Sequence, residues 1–129
     1  MTDNQIENEI QEKGLTAPRV TPQRIKDVVV SEHYFTAANG VNGAISVGEY
    51  CGREKPSKDG SDLAPLHLLT FCVLVLENGF TVTGESACAS PENFDPDLGR
   101  KIARDNAISK VWMLEGYLLK DKLSKQQTK

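Results

Sequence analysis

The sequence is short of the residues on which most catalysis depends. It holds two histidines, His33 and His67, and three cysteines, Cys51, Cys72 and Cys88, in 129 residues. An odd cysteine count without a Cys-x-x-Cys pair argues against a disulfide framework and against a zinc site. Two histidines and scattered carboxylates give no ligand spacing for another metal, so neither metal nor cofactor is expected. A basic excess is also missing: 15 Lys and Arg stand against 18 Asp and Glu, a formal charge of −3. That balance disfavours a protein that coats a nucleic-acid polymer. The longest apolar run, "LLTFCVLVL", is broken by Thr70 and falls far short of the roughly 20 residues that span a bilayer. With no secretory n-region and h-region at the start, the expectation is a soluble, cytoplasmic protein with no membrane partner.

What is present is unevenly spread. Asp3, Glu7, Glu9 and Glu12 face no base within residues 1–12, whereas basic residues such as Arg100, Lys101, Arg104 and Lys110 gather in the C-terminal part. An anion site there is compatible with this pattern. Residues 1–20 read as a flexible arm with one short helix around Ile6 and Ile10, interrupted at "GLTAP". Residues 21–129 read as a single α+β domain with a variable loop at about 40–62 and a core at 64–124. The stretch "TPQRIKDVVVSEHYFTAANG" predicts a helix capped by Thr21, with Pro22 in its first turn and Asn39-Gly40 at its end; "VVV" also suits a strand. In the loop, "SVGEYC" suits a short strand and "GREKPSKDGSD" is loop on composition.

The clearest signal is "LHLLTFCVLVLENGFTVTGES". Two β-branched and apolar runs flank Glu77-Asn78-Gly79, which predicts an antiparallel hairpin with strands near 66–76 and 80–87 and a turn of primed type. The first run is apolar at successive positions, so both of its faces should be covered. In the second, Phe80, Val82 and Gly84 alternate with Thr81, Thr83 and Glu85, which gives one apolar and one polar face. From Asp95 onward the pattern is helical, with Pro96 in the first turn and Gly116 expected to end or kink it before a second helix at about 117–124. Apolar residues from Leu98 to Leu118 spread around most of that helix at roughly 100° per residue. A second copy of the chain is expected to cover what one small core cannot, with Trp112 and Leu118 near the interface.

"GESACASPENFD", residues 84–95, joins the hairpin to the helix and holds a serine, a cysteine and a glutamate within a few positions. A nucleophile needs an adjacent base and an oxyanion hole, and "GESAC" lacks the second glycine of a nucleophile elbow. No catalytic residue is therefore assigned, and the chain is expected not to be an enzyme. Ala87, Cys88, Ala89 and Ser90 are small because a backbone or a ligand comes close. Arg100 and Arg104 lie one turn apart and about 40° apart around the helix, a spacing at which two guanidinium forks suit a phosphate or pyrophosphate. Local ion pairs, Lys101 with Asp105 or Asp97 and Arg100 with Asp97, are the plainer alternative. Phe80 reads first as a core residue and second as an aromatic that stacks on a base, whereas Thr83 and Asn93 suit ligand contact and equally suit shaping the turn.

"NGFTVTGESACASPENFD", "GRKIARDNAISKVW" and "LEGYLL", with "VTPQRI" and "SEHYF" upstream, resemble a family of small tailed-phage accessory proteins named after gene products forty-nine and sixty-six. The architecture also resembles the Thoeris anti-defence sponge, a phage protein that captures cyclic ADP-ribose isomers and, in some members, cyclic oligonucleotides. The resemblance implies an antiparallel sheet followed by C-terminal helices that interlock in a homodimer, with hexamers in some members. It implies that Arg100 and Arg104 grip phosphates, that Phe80 stacks on adenine, and that Thr83, Glu85 and Asn93 fix ribose or base edges. The function that follows is sequestration of a cyclic nucleotide immune signal without cleavage in the infected cell. The alternative is an accessory protein that acts through a host or phage protein partner. A signal-cleaving hydrolase would need a base or metal that the sequence does not supply.

Overall fold

The computed structural model describes residues 2–49 and 63–127. Helices α1 (Asp3–Glu12) and α2 (Pro22–Val28) precede strand β1 (Val29–Thr36), followed by α3 (Ala37–Ser46) and the short α4 (Leu63–Leu66). Strands β2 (Leu69–Leu76) and β3 (Thr81–Ala87) form the hairpin, and a 3-10 turn (Pro91–Asn93) leads into the long helix α5 (Pro96–Gln127). The strands make one antiparallel sheet in the order β1-β2-β3, and α5 lies across β2 and β3. The fold is α+β, as the sequence predicts.

The predicted helix at 21–40 begins as expected and then fails. Thr21 Oγ1 accepts from the Arg24 N–H at 3.1 Å, Pro22 occupies the first turn, and Ile25 and Val28 are buried. At Val29 the chain turns into β1, which pairs His33 with Val73 and Thr36 with Thr70. The β-branched and aromatic residues of this stretch fit a pleated surface beside an apolar strand better than a helix. Asn39-Gly40, expected as a stop, instead lies in the first turn of α3. There Thr36 and Asn39 form a capping box: the Asn39 N–H donates to Thr36 Oγ1 at 3.1 Å, and the Thr36 N–H donates to Asn39 Oδ1 at 2.9 Å. The described part of "SVGEYC" is the end of α3 and a turn at Gly48, not a strand; Tyr50, Cys51 and the loop at 52–62 lie outside the described residues.

The hairpin stands where the sequence puts it, with a different turn. Gly79 has φ of 88°, and no described residue other than glycine has positive φ. The Gly79 N–H donates to Leu76 O, and the Leu76 N–H donates to Phe80 O, both at 2.8 Å. This is a three-residue loop, a type I turn closed by a left-handed glycine, rather than a two-residue primed turn. Asn78 contributes through its side chain, whose Oδ1 accepts from the Phe80 N–H at 3.0 Å.

Strand β2 is covered fully on one face only. Thr70, Cys72, Leu74 and Leu76 are buried, while Phe71, Val73 and Val75 are half-buried on the other side. On that side Phe35 and Phe71 pair with ring centroids 5.8 Å apart. The covering helix is uninterrupted for 32 residues, about 48 Å, so the two C-terminal helices expected from Gly116 are one. A single exposed glycine costs an otherwise good helix only about 1 kcal/mol. Gly99, Ala103, Ala107, Val111 and Glu115, four apart, form its buried stripe. A Cβ on Gly84 would overlap Ala103 O and Ala107 N, so the absence of a side chain there sets how closely helix and sheet approach.

The core joins Ile25, Val28, Cys72, Leu74, Leu76 and Val82 to that stripe, with Trp112 and Ile108 packed against its edge. Leu98, Ile102, Met113, Tyr117 and Leu118 remain exposed. Arg24 ties α2 to the hairpin and to α5, donating to Glu77 at 2.7 Å and to the buried Glu115 at 2.9 Å. Helix α1 is capped by Thr2, and both terminal nitrogens of Arg19 meet the Glu7 carboxylate at 2.7 Å.

Candidate functional site

The six residues singled out in the sequence fall on two flanks of α5. Arg100 and Arg104 face β1. The Arg104 Nε–H donates to Glu32 Oε1 at 2.8 Å, and the Tyr34 hydroxyl donates to the same oxygen at 2.8 Å. The hydrogen bond from Arg104 holds the Glu32 carboxyl below its usual range, and the same bond raises the guanidinium. Burial, followed by the Glu32 contact, pushes the Tyr34 phenol up. Burial also raises the Cys72 thiol, so this core cysteine stays protonated and inert. Arg104 therefore has one edge engaged by a carboxylate.

Arg100, one turn earlier, is half-exposed and has a looser partner. Its terminal nitrogen is 3.9 Å from Asp97, which Lys101 approaches more closely at 3.2 Å. Of the local ion pairs weighed from the sequence, the two to Asp97 are present, and that of Arg100 is weak. Its side chain borders a cavity of about 210 Å³ lined by Tyr34, Phe35, Thr36, Asn39, His67, Thr70, Phe94 and Pro96. Arg104 borders a separate cavity of about 340 Å³, shared with Asp3, Lys26, Glu32 and Ile108.

The other four residues belong to the β3 side. Thr83 and Glu85 alternate with the buried Val82 and Gly84, so their side chains lie on the sheet face away from α5. Their carbonyls accept from Lys110 Nζ at 2.6 Å and from Asn106 Nδ2 at 2.8 Å. Asn93 ends the 3-10 turn and borders a cavity of about 130 Å³ with Ser86, Cys88, Phe94 and Leu98. Phe80 is exposed at the hairpin tip. The seven residues of β3, about 23 Å of strand, separate it from the Asn93 end. Among the described residues of one chain, then, no cavity described above gathers all six.

The loop that opened the question of a nucleophile has its own local order. The Cys88 N–H donates to Leu68 O at 3.0 Å and its thiol donates to Ser90 O at 3.2 Å. Asp95 Oδ1 accepts from the Asp97 and Leu98 N–H groups at 2.9 and 3.3 Å, capping α5. The backbone approach in this part of the sequence occurs at Gly84, where a Cβ would overlap Ala103 O and Ala107 N of α5.

Sequence reasoning missed the surroundings of Arg100: Tyr34, Asn39, His67, Thr70 and Phe94. Two of them, Tyr34 and Asn39, were hidden by the helical reading of 21–40. The available signal was Thr70, the lone hydroxyl inside an apolar strand.

A family model described as phage protein (N4 Gp49/phage Sf6 gene 66) matches residues 20–123, from just before α2 to near the end of α5. No curated protein and no solved structure matches the chain. Among the described residues, no helix is long and apolar enough to cross a membrane.

Proposed function

The chain belongs to this phage protein family, and from that premise we propose that it is a counter-defence sponge. It binds a cyclic nucleotide signal, a cyclic ADP-ribose isomer or a cyclic oligonucleotide, and withholds it from a host effector without cleaving it. The observation that carries this reading is the weakly paired Arg100 guanidinium on the rim of an aromatic-lined cavity, one turn from Arg104. A guanidinium fork suits phosphate oxygens, and aromatic walls suit a nucleobase. Arg104 joins the clamp with the edge that Glu32 leaves free.

The proposed assembly is at least a homodimer. About 12 residues of α5 follow Glu115, whose carboxylate accepts from Arg24 of α2, and of these Leu118, Leu119 and Lys122 border a cavity with Arg19, Val20 and Arg24. This end of the helix exposes Tyr117 and Leu118. A second copy would cover them and bring the Phe80, Thr83, Glu85 and Asn93 side of one chain near the arginines of the other.

The same exposed apolar residues favour a second reading, docking of a host or phage protein on α5. Incubation with a panel of cyclic nucleotides, followed by heat release and chromatography, separates the readings. Depletion with intact ligand recovered is the expected result. Altered ligand would mean an enzyme, and no depletion would favour the protein-partner reading.

A further inference from the structure

Thr70 interrupts the apolar run of β2, and it does so where the Arg100 cavity reaches the sheet. The residue is 3% exposed, yet its Oγ1 has no hydrogen-bond partner among the described residues. The helix above offers none: Gly99 stands over it, and a Cβ at that position would lie 3.1 Å from the hydroxyl oxygen. Valine would occupy the same volume without leaving a buried polar atom unsatisfied, which is destabilising. No described residue satisfies the hydroxyl, which leaves it open to a ligand.

The surroundings indicate what would meet it. Tyr34 and Phe94 supply aromatic surface, and Arg100 supplies a cation at the rim. Asn39 already uses its Oδ1 to accept from the Thr36 N–H, so its amide NH₂ is the part left for a ligand. The cavity, about 210 Å³, is smaller than the roughly 300–1,000 Å³ of sites that enclose a whole drug-sized molecule. It suits one end of a larger ligand. A phosphate would satisfy Arg100 and leave the aromatic surface unused. A sugar would meet the hydroxyl and the amide but has no flat face. A heteroaromatic ring with donors and acceptors along its edge satisfies all of them.

We infer that this cavity is a nucleobase subsite, in which Thr70 Oγ1 and the Asn39 amide read the base edge while Arg100 holds the adjoining phosphate. The inference rests on the nucleotide-binding reading of the site and assigns Thr70 as a specificity-determining residue within it. A site built to hydrogen-bond a ligand discriminates against analogues that leave its buried polar groups unpaired.

The test is an NMR titration of the full chain with adenosine 5′-monophosphate, adenosine, ribose 5-phosphate and inorganic phosphate, on the wild type, Thr70→Val and Thr70→Ser. Adenosine 5′-monophosphate and adenosine should shift the amides of Thr70, Asn39 and Phe94, whereas the two probes without a base should shift only the surroundings of Arg100. Thr70→Val should melt no lower than the wild type and bind adenosine 5′-monophosphate about tenfold more weakly; Thr70→Ser should restore binding. Equal affinity in Thr70→Val would overturn the inference, as would shifts at Thr70 from ribose 5-phosphate as large as those from adenosine, or none from adenosine 5′-monophosphate. If cyclic nucleotides are not retained while adenosine still shifts Thr70, sequestration fails and the subsite stands. If they are retained equally by wild type and Thr70→Val, the subsite fails and sequestration stands.

Discussion

The two flanks of α5 solve different problems with the same helix. Toward β1 the helix presents arginines, and the space between them and the strand is left open in two cavities. Along its contact with β3 it presents alanines over a glycine, and the space is closed until backbone meets backbone. The opening on one side depends on the close approach on the other, because a rigid helix seated low on β3 carries its arginines at a fixed height over β1. Gly84, Ala103 and Ala107 therefore mark where helix and sheet pack most closely, and Arg100 and Arg104 lie one helix flank away.

The strongest way to break this arrangement is to lift the helix. Gly84→Val inserts a branched side chain where even a Cβ overlaps Ala103 and Ala107, and it should cost about 3 kcal/mol or more. Chemical denaturation with an unchanged midpoint would show that the close approach is not structural. Next in size is the hairpin turn. Gly79→Val forces a β-branched residue to φ of 88° and should cost about 1 kcal/mol or more, visible as a lower melting temperature.

Gly116 sharpens the contrast in the opposite direction. A Cβ there meets only open space, so Gly116→Ala should stabilise a lone chain by about 0.5–1 kcal/mol. A drop in melting temperature instead would reveal a neighbouring copy packed against that glycine. The smallest effect concerns the β1 flank. Arg104 holds the folded-state pKa of Glu32 below its unfolded value, so the pair's contribution is present above the unfolded pKa, near 4.5. It is lost as pH falls through the lower folded value. Glu32→Gln should flatten the acid limb of the stability profile below about pH 4.5 by roughly 0.5 kcal/mol, as befits a partly exposed pair.

Legibility in the sequence followed the strength of local signals. Asn78-Gly79 between two β-branched runs announced the hairpin, and Asp95-Pro96 announced the start of α5, because turn and cap chemistry is written in single residues. β1 was hidden because "VVV" continues from a good N-cap at Thr21, and its partner β2 lies more than thirty residues away. Thr36 and Asn39 could be read as chain-ending polar residues as readily as a capping box. Gly116 was weighed as a break, yet the helix-forming residues around it carry the helix through. Of the site, Arg100 and Arg104 were visible from their spacing. Their separation from Phe80, Thr83, Glu85 and Asn93 was not, since it depends on which flank of α5 meets which strand.

The central claim is that the β1 flank binds a nucleotide and that the loop at 84–95 performs no chemistry on it. Calorimetric titration tests it most directly, using a cyclic nucleotide retained by the wild type at fixed salt, on the variants Arg100→Ala/Arg104→Ala, Ser86→Ala and Cys88→Ala. Each guanidinium–phosphate hydrogen bond is worth about 1.5–3 kcal/mol, so the arginine double variant should bind roughly 100-fold more weakly or worse, at about 1.4 kcal/mol per decade. The serine and cysteine variants should bind nearly as the wild type does, with the ligand recovered intact in every case. Wild-type affinity in the arginine double variant, together with a loss in Ser86→Ala or Cys88→Ala, would contradict the account.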